Sequence, residues 1–169
     1  MLFQHTEDVF VEDNVYYLAD PNDPASPFHT GEIPTPDVTG LVASGSGVVQ
    51  VTCGVNTGDV HITVEAWPDA PPAGLDSWDD AAETSVAWSS GKVDVIGAST
   101  DDVPGFPVGL PSGAGSYRVR VHVRGRDAGE DRGPDDPAEE HLVQIWPAPA
   151  APEALLKATD QVGSMWRQP

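Results

Sequence analysis

The chain has 169 residues, 39% of them hydrophobic, which is enough to bury one core without disulfide or metal staples. It carries 27 acidic residues against 8 Lys and Arg, a formal net charge of −19. That excess repels nucleic acid and anionic membranes, whose binding needs cations to displace condensed counterions, and it favours basic protein partners.

The predicted elements are mostly strands. Residues 3–11 and 15–18 are rich in β-formers and flank the turn signal Glu12-Asp13-Asn14. Residues 19–40 hold Pro21, Pro24, Pro27, Pro34 and Pro36 and read as a long surface loop. Residues 48–55 are a further β run. In residues 60–67, Val60, Ile62, Val64 and Ala66 alternate with His61, Thr63 and Glu65, the period of a half-buried antiparallel strand. Asn56-Thr57-Gly58-Asp59 between these two runs predicts a hairpin. Residues 84–88 and 92–96 predict a second one about Ser89-Ser90-Gly91.

The clearest strand follows, with Tyr117, Val119, Val121 and Val123 alternating against Arg118, Arg120, His122 and Arg124. An acidic Pro/Gly-rich loop over 126–137 leads to a returning strand, 141–146, closed by Pro147 as Trp67 is by Pro68. Only the C-terminus reads as helical: Pro152 suits a first helical position, and Leu155, Ala158, Val162, Met165 and Trp166 share one helical face. Gly163 weakens that segment, so the helix is expected to depend on docking against the sheet. The expectation is an all-β protein, an antiparallel β-sandwich of seven or eight strands over 1–147, with a proline linker and amphipathic helix over 148–169.

The charge is unevenly placed. Residues 1–91 contain 15 acids and no Lys or Arg, whereas residues 92–169 contain 12 acids and all 8 bases. With one cysteine, Cys53, no internal disulfide or thiolate cluster can form. The N-terminal residues lack the basic start and apolar run of a signal peptide, and no stretch has the length of a membrane span, so the expectation is a cytoplasmic protein.

Catalytic motifs are missing: there is no P-loop, dinucleotide fingerprint, nucleophile elbow, H-E-x-x-H pair or EF-hand pattern, and no cofactor is expected. Cys53 lies inside a β run and reads as a small buried hydrophobe. His5, His29, His61, His122 and His141 are scattered, although His122 and His141 fall on strands expected to pair and could approach each other. The acid pairs Asp79-Asp80, Asp101-Asp102, Asp135-Asp136 and Glu139-Glu140 read as solvated loop residues. Arg118, Arg120 and Arg124, with Arg126 beyond, are expected to satisfy the protein's own carboxylates across strands. Trp67, Trp88 and Trp146 read as packing residues.

Three segments together resemble a known group. They are Phe3 with Val9-Phe10-Val11 and Asp13; Ser77-Trp78-Asp79-Asp80 with Ser89-Ser90-Gly91; and Gly115-Ser116-Tyr117-Arg118-Val119-Arg120-Val121 followed by Val143-Gln144-Ile145-Trp146-Pro147. The pattern resembles small uncharacterised β-domain proteins of high-GC bacteria. More distantly, it is similar to the competence-associated inhibitors of a DNA-entry nuclease. That resemblance implies a β-sandwich that neutralises an enzyme, and it carries over no functional residue.

Charge and resemblance together predict a non-enzymatic inhibitor or immunity-type protein for a basic nuclease or toxin. Glu7, Asp8, Glu12, Asp13, Asp79 and Asp80 are its candidate partner-binding residues, imitating a phosphate backbone. Two rivals are an accessory structural domain docking through the C-terminal helix, and a metal-dependent enzyme built on His122 and His141.

Overall fold

The computed structural model describes residues 1–24, 31–97, 105–132 and 138–168. Its strands are β1 (Phe3–Val11), β2 (Val15–Ala19), β3 (Val42–Gly45), β4 (Val48–Thr52), β5 (Gly58–Ala66), β6 (Asp80–Trp88), β7 (Asp94–Ile96), β8 (Phe106–Pro107), β9 (Gly115–Arg124), β10 (Glu140–Pro147) and β11 (Ala154–Ala158), followed by helix α1 (Gln161–Trp166). Two sheets form, one in the order β1-β5-β10-β9-β6-β11 and one in the order β3-β4-β2-β7-β8. The all-β sandwich with a C-terminal helix is therefore the fold, with more strands than the turn signals suggest.

The core lies between the sheets. The alternation in β5 and β9 buries Val60, Ile62, Val64, Val119, Val121 and Val123 against Leu18, Val49, Val51 and Val95 of the opposite sheet. Trp88 joins this core and meets Tyr117 with ring centroids 5.6 Å apart.

Four sequence expectations are corrected. First, the six-stranded sheet is mixed rather than antiparallel, because β10 runs parallel to β5 while pairing antiparallel with β9. Second, neither predicted hairpin exists: β4 and β5 lie in different sheets, as do β6 and β7, so both short turns are arches across the sandwich. At the first arch a Cβ on Gly54 would collide with the Arg126 backbone, so the chain can pass only as glycine. Third, the helix is confined to Gln161–Trp166, and Ala154–Ala158 instead adds β11 to the edge of β6. Open ladder groups on β6 supply hydrogen bonds that a helix of this length cannot match alone. Fourth, His122 and His141 sit on paired strands but oppose Leu142 and Val123 respectively, so they face opposite sides of the sheet.

Candidate functional site

The six candidate acids do not form one patch. Asp80, Val123, His141, Ile62 and Glu7 make a single cross-strand row over β6, β9, β10, β5 and β1. Glu7 and Asp80 are thus four strand steps apart, roughly 19 Å at the usual spacing. Glu7, Asp8, Glu12 and Asp13 occupy one edge and corner of the sandwich, and Asp79 and Asp80 lie near the other edge.

At the first corner, β1 is an edge strand and its residues 4–8 are all exposed. Glu7 Oε2 meets His5 Nε2 at 2.9 Å, and His5 packs on Phe106 of β8. Asp8 projects from the other face of β1, where its Oδ1 meets His61 Nδ1 at 2.7 Å. Glu12 and Asp13 form the turn into β2. Asp13 and Asn14 both take positive φ, 57° and 62°, and Val15 N–H donates to Glu12 O at 3.3 Å, which is a type I′ geometry that Asp and Asn tolerate. Among the described residues, no Lys or Arg pairs with any of these four acids.

The arginines are engaged elsewhere, as expected. Arg118 Nε and Arg120 Nε donate to the two oxygens of Glu83 at 3.0 and 2.7 Å. Arg120 also stacks over Trp146, and Arg124 donates to Glu140 at 2.7 Å. Strand β9 stands three steps from β1, roughly 14 Å, beyond the Debye length of about 8 Å at physiological salt. These β9 arginines therefore contribute little to the field along β1.

Asp79 and Asp80 depart from the loop reading. Asp79 is half-buried, and its carboxylate accepts from Gly125 N–H at 2.9 Å. Asp80 begins β6 and is 0% exposed. Its oxygens accept from the backbone N–H groups of Thr159 and Asp160, and from Arg126 and Arg167 at 3.3 Å each. An acid so fully satisfied inside the protein offers nothing to a partner, so it is removed from the surface set.

Beside Asp80, Arg126 is also 0% exposed, and all its donors are used. Nε and Nη2 grip Asp160 at 2.6 and 2.8 Å, Nη2 reaches Asp80, and Nη1 donates to Gly40 O and Thr52 O. Asp160 in turn caps α1 by accepting from Gly163 N–H at 2.7 Å. A Cβ at Gly163 would strike Asp80, Arg126 and Arg167, so the glycine that weakens the helix is what lets it seat there.

A second buried polar group has no signal in the sequence. Glu139, expected as a loop acid, is 0% exposed and accepts from Gly54 N–H, Val55 N–H and His141 Nε2 at 2.8 to 3.1 Å. His141 Nδ1 meets Tyr16 Oη at 3.1 Å. Burial raises the Glu139 pKa, but the His141 contact and the two amides outweigh it and leave the carboxyl below its ordinary value. Burial also lowers the His141 pKa despite Glu139. The neutral ring then donates from Nε2 to the carboxylate and accepts at Nδ1 from Tyr16.

Cys53 completes this cluster. Its sulfur and donor atoms of Glu139 and His141 lie within 4.8 Å of one another, a spacing that invites a metal reading. The donors are already committed: both Glu139 oxygens and both ring nitrogens of His141 hold hydrogen bonds a metal would have to break. Burial, and next the Glu139 charge, push the Cys53 thiol well above its ordinary pKa, so it stays protonated and unreactive. His122, on the far face, meets Ala73 O and the Trp78 ring. His29, Asp101-Asp102 and Asp135-Asp136 lie outside the described residues.

Next to the acidic corner is a cavity of about 400 Å³, lined by Asn14, Cys53, Gly54, Val162, Met165 and Trp166. Met165 is 75% and Trp166 42% exposed. Among the described residues, no helix is long and apolar enough to cross a membrane.

No protein-family model matches the chain, and no curated protein matches it in sequence. Among solved structures it is similar to ComJ, inhibitor of the DNA degrading activity of NucA, from Bacillus subtilis. That likeness has a TM-score of 0.57 at 9% identity, over 85% of this chain and 96% of that one. It is also similar to crocagin biosynthetic gene J, with a TM-score of 0.52 at 16% identity, over 88% of this chain and all of that one. At these identities what is shared is the fold.

Proposed function

We propose that this chain is a non-catalytic acidic binding protein that docks on a basic nuclease or toxin in the cytoplasm and neutralises it. The observation that carries the reading is the β1 corner, where Glu7, Asp8 and Asp13 are exposed, Glu12 is half-buried, and none of the four has a Lys or Arg partner among the described residues. Such a field speeds encounter with a cationic face and repels nucleic acid and anionic lipid. The fold shared with ComJ, a nuclease inhibitor, adds support.

The test is a titration of a purified basic DNA-degrading enzyme, with the purified chain as inhibitor. Activity is expected to fall stoichiometrically at low salt. The combined variant Glu7→Lys, Asp8→Lys, Asp13→Lys should weaken inhibition about tenfold or more without unfolding. Equal inhibition by both proteins would sink the reading.

A second reading, an accessory domain in an assembly, draws on the exposed Met165 and Trp166. It predicts a stoichiometric complex whose partner keeps its full activity.

A further inference from the structure

We propose that the cavity between α1 and the β1–β2 turn is an anchor pocket for one apolar side chain carried on a basic polypeptide segment. The proposal rests on the function argued above and deepens it, by placing the partner's anchor beside the acidic corner rather than along β1.

The pocket has the volume and lining for this. At about 400 Å³ it lies in the range of roughly 300–1,000 Å³ typical of ligand sites. Val162, Met165 and Trp166 of α1 line it together with Asn14, Cys53 and Gly54. Cys53 is fully buried, and its protonated thiol adds no charge to the lining. Met and Trp left exposed side by side at a pocket mouth are the residue types that anchor interfaces, one adaptable and one broad and rigid.

Charge decides what fills it. Asp13 is exposed and adjoins the lining residue Asn14. Asp127 is also exposed, and its carboxylate accepts from the N–H groups of Gln161 and Val162, the latter a lining residue. The nearby cations are turned inward: Arg126 and Arg167 are bound to Asp80, and Arg132 points at Glu139. An apolar hole with an acidic rim and internally neutralised cations fits a Lys/Arg-flanked apolar residue and rejects an acidic one.

The chain has two methionines, Met1 and Met165, so a ¹³C-methyl spectrum gives one reporter at the pocket and one control. The probes are a Lys/Arg-rich peptide with a single central leucine and its glycine-centred twin. The leucine peptide is expected to shift the Met165 methyl signal, leave Met1 in place, and bind roughly tenfold tighter than the twin, the gain from one buried leucine. Trp166→Ala should erase that preference. Asp13→Lys should weaken both peptides alike and flatten the salt dependence. Met165→Gln, altering a largely exposed side chain, serves should Trp166→Ala fail to fold.

Equal affinity of the twins, or an unmoved Met165 signal, overturns the anchor. If Met165 stays still while the amides of Glu7 and Asp8 move, the acidic binding function stands and only the anchor is lost. If the enzyme titration also fails, both are lost.

Discussion

Arg126 and Asp160 form a bidentate pair, Nε to Oδ2 at 2.6 Å and Nη2 to Oδ1 at 2.8 Å, with neither side chain more than 2% exposed. The same guanidinium reaches Asp80, which also binds Arg167, so two cations and two carboxylates balance inside one contact. Because Asp160 caps α1 and Arg167 follows it, this contact holds residues 159–168 against the sandwich.

Arg126→Met leaves two buried carboxylates short of their main donor, a loss expected to cost about 3–5 kcal/mol. Urea unfolding measures it, and hydrogen exchange should show α1 opening first. Arg126→Lys keeps the charge but has fewer donors and a different geometry, so it should fall between. A variant as stable as the parent would mean the pair adds nothing to folding.

Glu83 holds Arg118 and Arg120 together on the outer face of the larger sheet, and both arginine side chains are only 8% exposed. Glu83→Ala should destabilise by about 2–3 kcal/mol, the cost of losing charged hydrogen bonds from two nearly buried donors. Denaturant midpoints read this directly. Arg118→Ala in the Glu83→Ala background should cost less than it does alone, since the two residues share one interaction.

Much of this was legible locally and much was not. The alternation in 60–67 and 117–124 marks strands with one buried face, and β5 and β9 follow it. The arginines of β9 point outward because the valines between them point in, so their pairing with Glu83 and Glu140 follows from register. By contrast, Leu155, Ala158 and Val162 fit a helical stripe, yet 154–158 became a strand because the β6 edge stood open beside them. Glu139 looked like its neighbour Glu140, a solvated acid. Its burial depends on the amides of Gly54 and Val55, positions that only the folded topology brings near. Asp80 departs from a solvated acid for the same reason: its partners, Arg126 and residues 159–167, are remote in sequence.

Protonation should weaken the fold below about pH 6.5. Burial lowers the pKa values of His141 and His122, so on acidification from the unfolded value of 6.5 the unfolded chain takes up protons that the folded one refuses. The Glu139 carboxyl, also lowered, extends the loss further as pH falls beneath its ordinary value of 4.5. All three contributions are present at neutral pH and vanish with acid. Melting temperatures from pH 8 to 5 should decline, and His141→Gln should reduce the slope below 6.5 by up to about 1.4 kcal/mol per pH unit. A flat profile in the parent would contradict the buried neutral ring.

Glu7→Lys and Asp8→Lys should leave stability within about 0.5 kcal/mol of the parent, because both acids are exposed and each is bonded only to a histidine, His5 exposed and His61 half-buried. Thermal melts at low and high salt check this. Large destabilisation would show that the corner serves the fold, and would remove the reason to assign it to a partner.

The parallel seam between β5 and β10 also governs how the molecule must assemble. β1 with β5, and β6 with β9, can zip up as separate antiparallel ribbons, but they become one sheet only when residues 140–147 slide between β5 and β9. Until then each ribbon shows a long raw border of valines and free amides, the sort of surface that pairs with a neighbouring molecule as readily as with its own β10. Closure of that seam is what hides both borders in the finished sheet.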